Sequence, residues 1–334
     1  MAQSRNALAK TGTFLQFAFQ QRVATARIVA ELPPRGEGAI LIDGGEQDWT
    51  PVGYTAVAGE GFRVACSGAL WMSKALSVGF EPRLAVWVRI GGVGPIRKLL
   101  DNTCVFTAWA SGPVEVIAKT LVEWADEDGG LLNKPSRGMP GGIALTVEAT
   151  TDAPDAPSEV EDWSYLWRLG DGRIYRQQGD EIAVSTYGDV GILRRDVDVA
   201  LTPDTRLAWS WLIEALPSAL PEDLAPTHDY LSIAVEFENG RDLTYMWSAG
   251  LKPGHVFHCP LPFWCDRETH WVVRSGAAGL GQWRDESRAI AADYAEAIGG
   301  DMPRRVVKVW LIANSVFQRR AGRARFRSIR VNAD

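Results

Sequence analysis

The chain has 334 residues, 46% of them hydrophobic and 23% charged, a balance close to that of globular domains and unlike that of disordered, collagenous or membrane-spanning chains. The length is roughly twice that of a usual domain, so two domains are expected, each able to bury its own core. A formal net charge of -6 repels polyphosphate, which argues against nucleic acid as a partner.

The N-terminal residues lack the continuous apolar stretch of a secretory signal, and no window of about 18 apolar residues occurs. A cytoplasmic protein without a membrane span is therefore expected. From about Leu8 to Leu32, Leu8, Leu15, Phe19, Val23 and Ala26 recur at helical spacing, and Pro33 and Pro34 end the run. This predicts an amphipathic helix, either packed on the following domain or serving as a contact for homo-oligomerisation or a membrane surface.

From Gly36 onward, short β-type runs alternate with Gly, Pro, Asn and Asp. They are Ala39–Ile42, Phe62–Cys66, Leu84–Ile90, Cys104–Ala108, Val114–Ala118 and Ile143–Ala149. Strands at this spacing predict a β-sandwich over residues 36–150. The Pro-rich, acidic stretch from Thr150 to Glu161 is the linker candidate. Beyond it, Ile182–Ser185, Arg206–Ile213, Tyr230–Phe237, Asp242–Ser248, His270–Arg274 and Val306–Ala313 predict a second sandwich over 151–334. A helix is expected over Glu286 to Ile298, ended by Gly299-Gly300. The fold class is thus all-β: two β-sandwich domains, jelly-roll-like, behind an N-terminal helix.

The run Asp48-Trp49-Thr50-Pro51-Val52-Gly53-Tyr54, continuing through Gly59-Glu60-Gly61-Phe62, resembles the opening of the bacterial PA-I galactose lectin family. Leu84 to Gly91 and Gly112-Pro113-Val114-Glu115-Val116 keep step with it. The resemblance implies a galactose-binding-like sandwich with a calcium loop. The nearest counterpart of that loop is Trp124-Ala125-Asp126-Glu127-Asp128-Gly129-Gly130 followed by Asn133, although the family's Asn-Asp pair is missing. Carboxylates and carbonyls in such a loop suit a hard cation, so Asp126, Asp128 and Asn133 are candidate calcium ligands. A solvated acidic loop is the alternative.

The second half resembles the bacterial family known as domain of unknown function 3047. It does so through Leu207-Ala208-Trp209-Ser210-Trp211, His228-Asp229, Leu243-Thr244-Tyr245-Met246-Trp247, Val273-Arg274-Ser275-Gly276, Gln282-Trp283 and Asp293-Tyr294. The resemblance implies a sandwich and no assigned activity. Where that family tends to carry an acidic Asp-x-Asp-Asn-Thr run, this chain has Ala313-Asn314-Ser315-Val316-Phe317.

Fourteen tryptophans are about three times what typical usage gives. They predict either aromatic core layers or a stacking platform for a small-molecule or carbohydrate ligand. Trp209 and Trp211 alternate on one strand and are expected in the core. Tyr245 and Trp247 alternate on another and stay open as ligand-binding candidates, with Trp264, Arg274 and Trp283. Arg274, Arg288, Asp285 and Asp293 could equally form an ion-paired belt, and the basic run Arg319 to Arg327 is either a holder of an anionic ligand or partner or a last strand with an arginine-rich outer face.

Three of the four histidines, His255, His258 and His270, fall within sixteen residues, and His228 precedes Asp229. Imidazole exchanges protons near neutral pH and ligates metals. The pattern makes His258, His255, Asp229 and His270 candidate acid–base residues, with Asp229 either partnering a histidine at the sandwich rim or capping a turn. On a strand, His255 and His258 point to opposite faces, so a ready HxxH zinc pair is not expected. The four cysteines lack CxxC spacing, and no disulfide framework is implied. The leading expectation is a carbohydrate- or small-ligand-binding protein. The alternatives are a hydrolase, lyase or isomerase using His/Asp chemistry in a Trp-lined pocket, and a structural assembly protein.

Overall fold

The computed structural model of the chain describes residues 7–32, 35–46, 48–75, 78–92, 95–119, 138–262 and 264–333. The chain divides into two compact units. One comprises Ala18–Pro157 with Trp167–Arg173, the other Met1–Phe17, Ser158–Leu166 and Ile174–Asp334. The division between Pro157 and Ser158 lies inside the Thr150–Glu161 stretch. The linker candidate is tied into the first unit: Val105 N–H donates to the Asp155 carboxylate at 2.9 Å, and Asp155 N–H donates back to the Val105 carbonyl.

Helix α1 (Ala7–Glu31) forms as its apolar spacing predicts but turns the opposite face inward. Thr13, Phe17, Gln21 and Thr25 are buried, whereas Leu8, Leu15, Phe19 and Val23 are 61–85% exposed. The apolar stripe is thus not the packed face of this helix. No helix of the described residues is long and apolar enough to cross a membrane.

The first unit contains β1 (Ile40–Asp43), β2 (Thr50–Ala56), β3 (Gly61–Ser73), β4 (Val78–Phe80), β5 (Val86–Ile90), β6 (Arg97–Lys98), β7 (Thr103–Thr107), β8 (Gly112–Ala118) and β9 (Gly141–Ala149). One sheet runs β1-β9-β3-β4 with β7 also on β3, and the other β2-β8-β5-β6. The alternation of Phe62, Val64 and Cys66 on β3, and of Val114, Val116 and Ala118 on β8, delivers one face of each sheet to a shared core. The candidate calcium residues Asp126, Asp128 and Asn133 lie outside the described residues.

The second unit carries β10 (Ser164–Leu169, which crosses the unit boundary), β11 (Tyr175–Gln178), β12 (Glu181–Tyr187), β13 (Val190–Ala200), β14 (Thr205–Ala215), β15 (Tyr230–Phe237), β16 (Asp242–Ser248), β17 (Val256–His258), β18 (Glu268–Ser275), β19 (Arg284–Ala289), helix α2 (Ile290–Ala297), β20 (Arg305–Asn314) and β21 (Ala321–Ala333). A seven-stranded sheet runs β10-β13-β20-β15-β16-β18-β17 and a five-stranded sheet β11-β12-β21-β14-β19. The expected helix over 286–298 begins only at Ile290. Its first residues instead extend β19, a charged edge strand that pairs with β14 and sets Glu286 opposite Trp209.

The inner faces of the two sheets meet in an aromatic core. The Trp209 ring lies 5.5 Å from Trp211 and 5.7 Å from Tyr245, and Trp211 lies 5.7 Å from Trp247. All four are at most 2% exposed. Trp209 and Trp211 are core residues, as expected, and so are Tyr245 and Trp247.

One topological feature positions the site. Strands β16 and β18 run parallel, so the chain between Ser248 and Glu268 must travel back along the sheet before β18 begins. That return segment contains β17 and reaches the outer face of the seven-stranded sheet. As a result β15 and β16 are buried on both faces.

Candidate functional site

Alternation along β18 sends Trp271 and Val273 into the aromatic core and Glu268 and His270 to the opposite face. There they meet His228, which precedes β15, and Cys259, which follows β17. Cys259 lies opposite Glu268 because its N–H donates to the Glu268 carbonyl at 2.9 Å. One donor atom from each of His228, Cys259, Glu268 and His270 falls within 4.8 Å of the other three. Cys259 Sγ is 3.3 Å from His228 Nε2, and His270 Nε2 is 3.4 Å from Glu268 Oε1. All four residues are at most 3% exposed.

The surroundings hold these groups in place. His228 Nδ1 is 2.7 Å from the Glu222 carbonyl, which fixes the proton on Nδ1 and turns the Nε2 lone pair toward Cys259. Burial, reinforced by the neighbouring His270, pushes the His228 imidazole down to about 3, so it is neutral. Glu268 accepts from the Tyr230 hydroxyl at 3.0 Å and from Thr244 Oγ1 at 3.3 Å. Burial alone would raise the Glu268 carboxyl, but the adjacent His270 holds it below the usual carboxylate range. Burial also pushes the Cys259 thiol well up. Neither ring nitrogen of His270 has a hydrogen-bond partner.

The other predicted site residues do not join this cluster. His258 is exposed on edge strand β17, 3.4 Å from Thr269 Oγ1. His255 is buried, its ring 5.7 Å from Phe257. Asp229 is fully buried and accepts the backbone N–H groups of Phe317 and Gln318. Burial raises its carboxyl to about 7 despite those bonds. The expected His/Asp acid–base pair is therefore not formed: Asp229 serves the turn after β20, and of the four candidates only His270 lies in the cluster.

The aromatic platform is corrected too. The Tyr245 hydroxyl donates to Asp293 at 2.8 Å, and Trp247 Nε1 donates to the Gly276 carbonyl at 2.9 Å. Trp264 is buried edge-on against Trp310. Arg274 pairs with Glu286, and Arg288 with Asp293 in a two-pronged bond of 2.6 and 2.8 Å, an ion-paired belt in which Glu286 takes the place expected of Asp285, which instead accepts the Ser210 hydroxyl. Trp283 is half-buried, with the Arg327 guanidinium 3.9 Å from its ring centre. No Trp among the described residues is fully exposed.

A cavity of about 580 Å³ opens in the same unit where β13 meets β14, β19 and β21. Its lining includes Arg195, Arg206, Ala208, Ser287, Arg330 and Asn332, with no carboxylate. Arg206 and Arg330 make no ion pair among the described residues. Arg195 donates to the Ile329 carbonyl and lies 4.8 Å from the half-buried Trp163 ring. Burial pulls its guanidinium below the ordinary value.

That Cys259 and Glu268 would meet His228 and His270 was not legible in the sequence. The one local signal was Glu268-Thr269-His270, whose alternation sets a carboxylate and an imidazole on one face of a strand.

None of the curated proteins matches the chain. Among solved structures it is similar to the xyloglucanase domain of NopAA, a type three effector from Sinorhizobium fredii, in complex with cellobiose. That match has 9% identity and a TM-score of 0.33, and covers 55% of this chain and 97% of that one. It is also similar to the N-terminal CBM22-1–CBM22-2 tandem domain of Xyn10C from Paenibacillus barcinonensis, at 8% identity and a TM-score of 0.21 over 84% of this chain and 80% of that one. Residues 172–330, nearly the whole of the second sandwich, match the family described as "Protein of unknown function (DUF3047)".

Proposed function

We propose that the protein is a ligand-binding β-sandwich protein whose second unit takes an acidic saccharide, a sugar or short oligosaccharide bearing carboxylates, in the arginine-lined cavity. The observation that carries this reading is the cavity itself: about 580 Å³ with three guanidiniums and no carboxylate. Its volume lies in the range of small-molecule sites, roughly 300–1,000 Å³. Guanidiniums bind carboxylates through paired, charge-assisted hydrogen bonds. Ser287 and Asn332 add groups suited to sugar hydroxyls, and Trp163 adds an aromatic ring beside Arg195. Buried as they are, Tyr245 and Trp247 take no part, so charge and hydrogen bonding carry recognition here.

Titration calorimetry with oligogalacturonates and with cello-oligosaccharides tests the proposal. A charged hydrogen bond contributes on the order of 1.5–3 kcal/mol, so acidic sugars should bind about tenfold or more tighter than neutral ones. The Arg206→Ala/Arg330→Ala pair should abolish that preference. Equal binding of both sugar classes, or an unchanged preference in the double variant, would remove the cavity from the account. Binding of inorganic phosphate in place of the sugars would reassign the ligand.

A further inference from the structure

The buried cluster on the outer face of the seven-stranded sheet is separate from the arginine-lined cavity and has a chemistry of its own. We propose that His228 Nε2, Cys259 Sγ, Glu268 Oε1 and one ring nitrogen of His270 form a closed, tetrahedral zinc site.

Spacing is the first argument. Zinc binds nitrogen or oxygen at about 2.0–2.1 Å and sulfur at about 2.3 Å, which sets neighbouring donors of a tetrahedron about 3.3–3.6 Å apart. The separations of 3.3 and 3.4 Å match, and all four donors lie within 4.8 Å of one another.

Orientation is the second argument. A metal-ligating histidine characteristically gives its other N–H to a carbonyl or carboxylate. His228 does this through Nδ1 to the Glu222 carbonyl, and Glu268 is steadied by Tyr230 and Thr244. His270 Nε2 faces the Glu268 carboxylate at 3.4 Å without hydrogen-bond geometry, and a buried imidazole so weakly held is costly unless one of its nitrogens ligates.

Charge balance is the third. Two neutral imidazoles, one thiolate and one carboxylate carry two negative charges, which one divalent zinc neutralises. On binding, the Cys259 thiol loses its proton to solvent as the Zn–S bond forms, and no redox change is involved. The mixed nitrogen, sulfur and oxygen donors suit zinc rather than calcium or magnesium, which take oxygen shells.

Four buried protein donors leave no open coordination position, so the site is structural. It fastens the return segment, through Cys259, and the segment before β15, through His228, onto strand β18.

The test uses full-length protein, stripped with a chelator and titrated with Zn²⁺ and, separately, with Co²⁺ as a spectroscopic probe. One equivalent of each should bind. Co²⁺ should give intense tetrahedral d–d bands and a thiolate-to-metal charge-transfer band. Cys259→Ser should lose the charge-transfer band and weaken zinc binding by more than the roughly 10–100-fold typical of outer-shell partners. His258→Ala, at the exposed neighbour of Cys259 and outside the donor set, should bind zinc as the parent does. Should Cys259→Ser fail to fold, X-ray absorption of the zinc-loaded parent gives the same answer: one sulfur and three nitrogen or oxygen scatterers. A parent protein that takes up no stoichiometric zinc, or holds it without sulfur, overturns the proposal. Since these readouts contain no saccharide, their failure leaves the cavity reading untouched, and the reverse also holds.

Discussion

Asp229 shows how a carboxylate in a promising place is consumed by its backbone. It opens a strand after a Pro-rich loop, where a side chain could reach the rim, yet two N–H groups beyond β20 claim both its oxygens. A single sequence does not reveal such a long-range cap, since Phe317 and Gln318 lie some ninety positions away. Cysteine chemistry gives a direct check at this scale. Cys66, Cys104 and Cys259 are buried, and burial pushes the Cys104 thiol up to about 11. Only Cys265 has a solvent-facing thiol. Because thiolate fraction and access set reactivity, native protein treated with iodoacetamide at pH 8 should carry one adduct, at Cys265. Full modification should require denaturant, and rapid labelling of Cys104 or Cys259 in the native state would contradict their burial.

At the scale of single elements, pattern was a good guide to existence and a poor one to facing. Helix α1 forms where its spacing placed it, but Leu15, Phe19 and Val23 face solvent and Thr13, Gln21 and Thr25 do not. Exposed substitutions usually change stability by no more than about 0.5 kcal/mol. Phe19→Glu should therefore fall within that range by chemical denaturation, and a loss of about 3 kcal/mol would show the residue packed after all. Strand β19 was missed for a physical reason. Arg284-Asp285-Glu286-Ser287-Arg288-Ala289 has no β-branched or aromatic residue. It forms because it pairs with β14, where Glu286 accepts Trp211 Nε1 at 3.0 Å and Ser210 bonds Asp285. By contrast β21 was legible: Ala324 and Phe326 point inward, while Arg323 and Arg325 on the outer face meet Glu214.

For the whole molecule, two β-sandwiches were readable from strand spacing alone, because alternating apolar residues between turn residues have few other ways to bury a face. The candidate sites were far less readable. The zinc donors sit at 228, 259, 268 and 270, on two loops and a strand, and only the parallel pairing of β16 with β18 brings the return segment back to Glu268. The cavity is likewise assembled from β13, β14, β19 and β21, elements spread over more than a hundred residues. Of the surplus tryptophan, the most conspicuous feature of the composition, Trp209, Trp211, Trp247, Trp264, Trp271 and Trp310 are buried in the second unit.

In the proposed arrangement the second sandwich is pinned by a metal held among His228, Cys259, Glu268 and His270. A crystal of the purified protein, with diffraction data collected on both sides of the zinc absorption edge, tests it most directly. One anomalous peak is expected in this unit, about 2.0–2.3 Å from the four donor atoms, that disappears below the edge. Well-ordered density for all four side chains with no anomalous peak between them, in protein crystallised from zinc-containing solution, would contradict it.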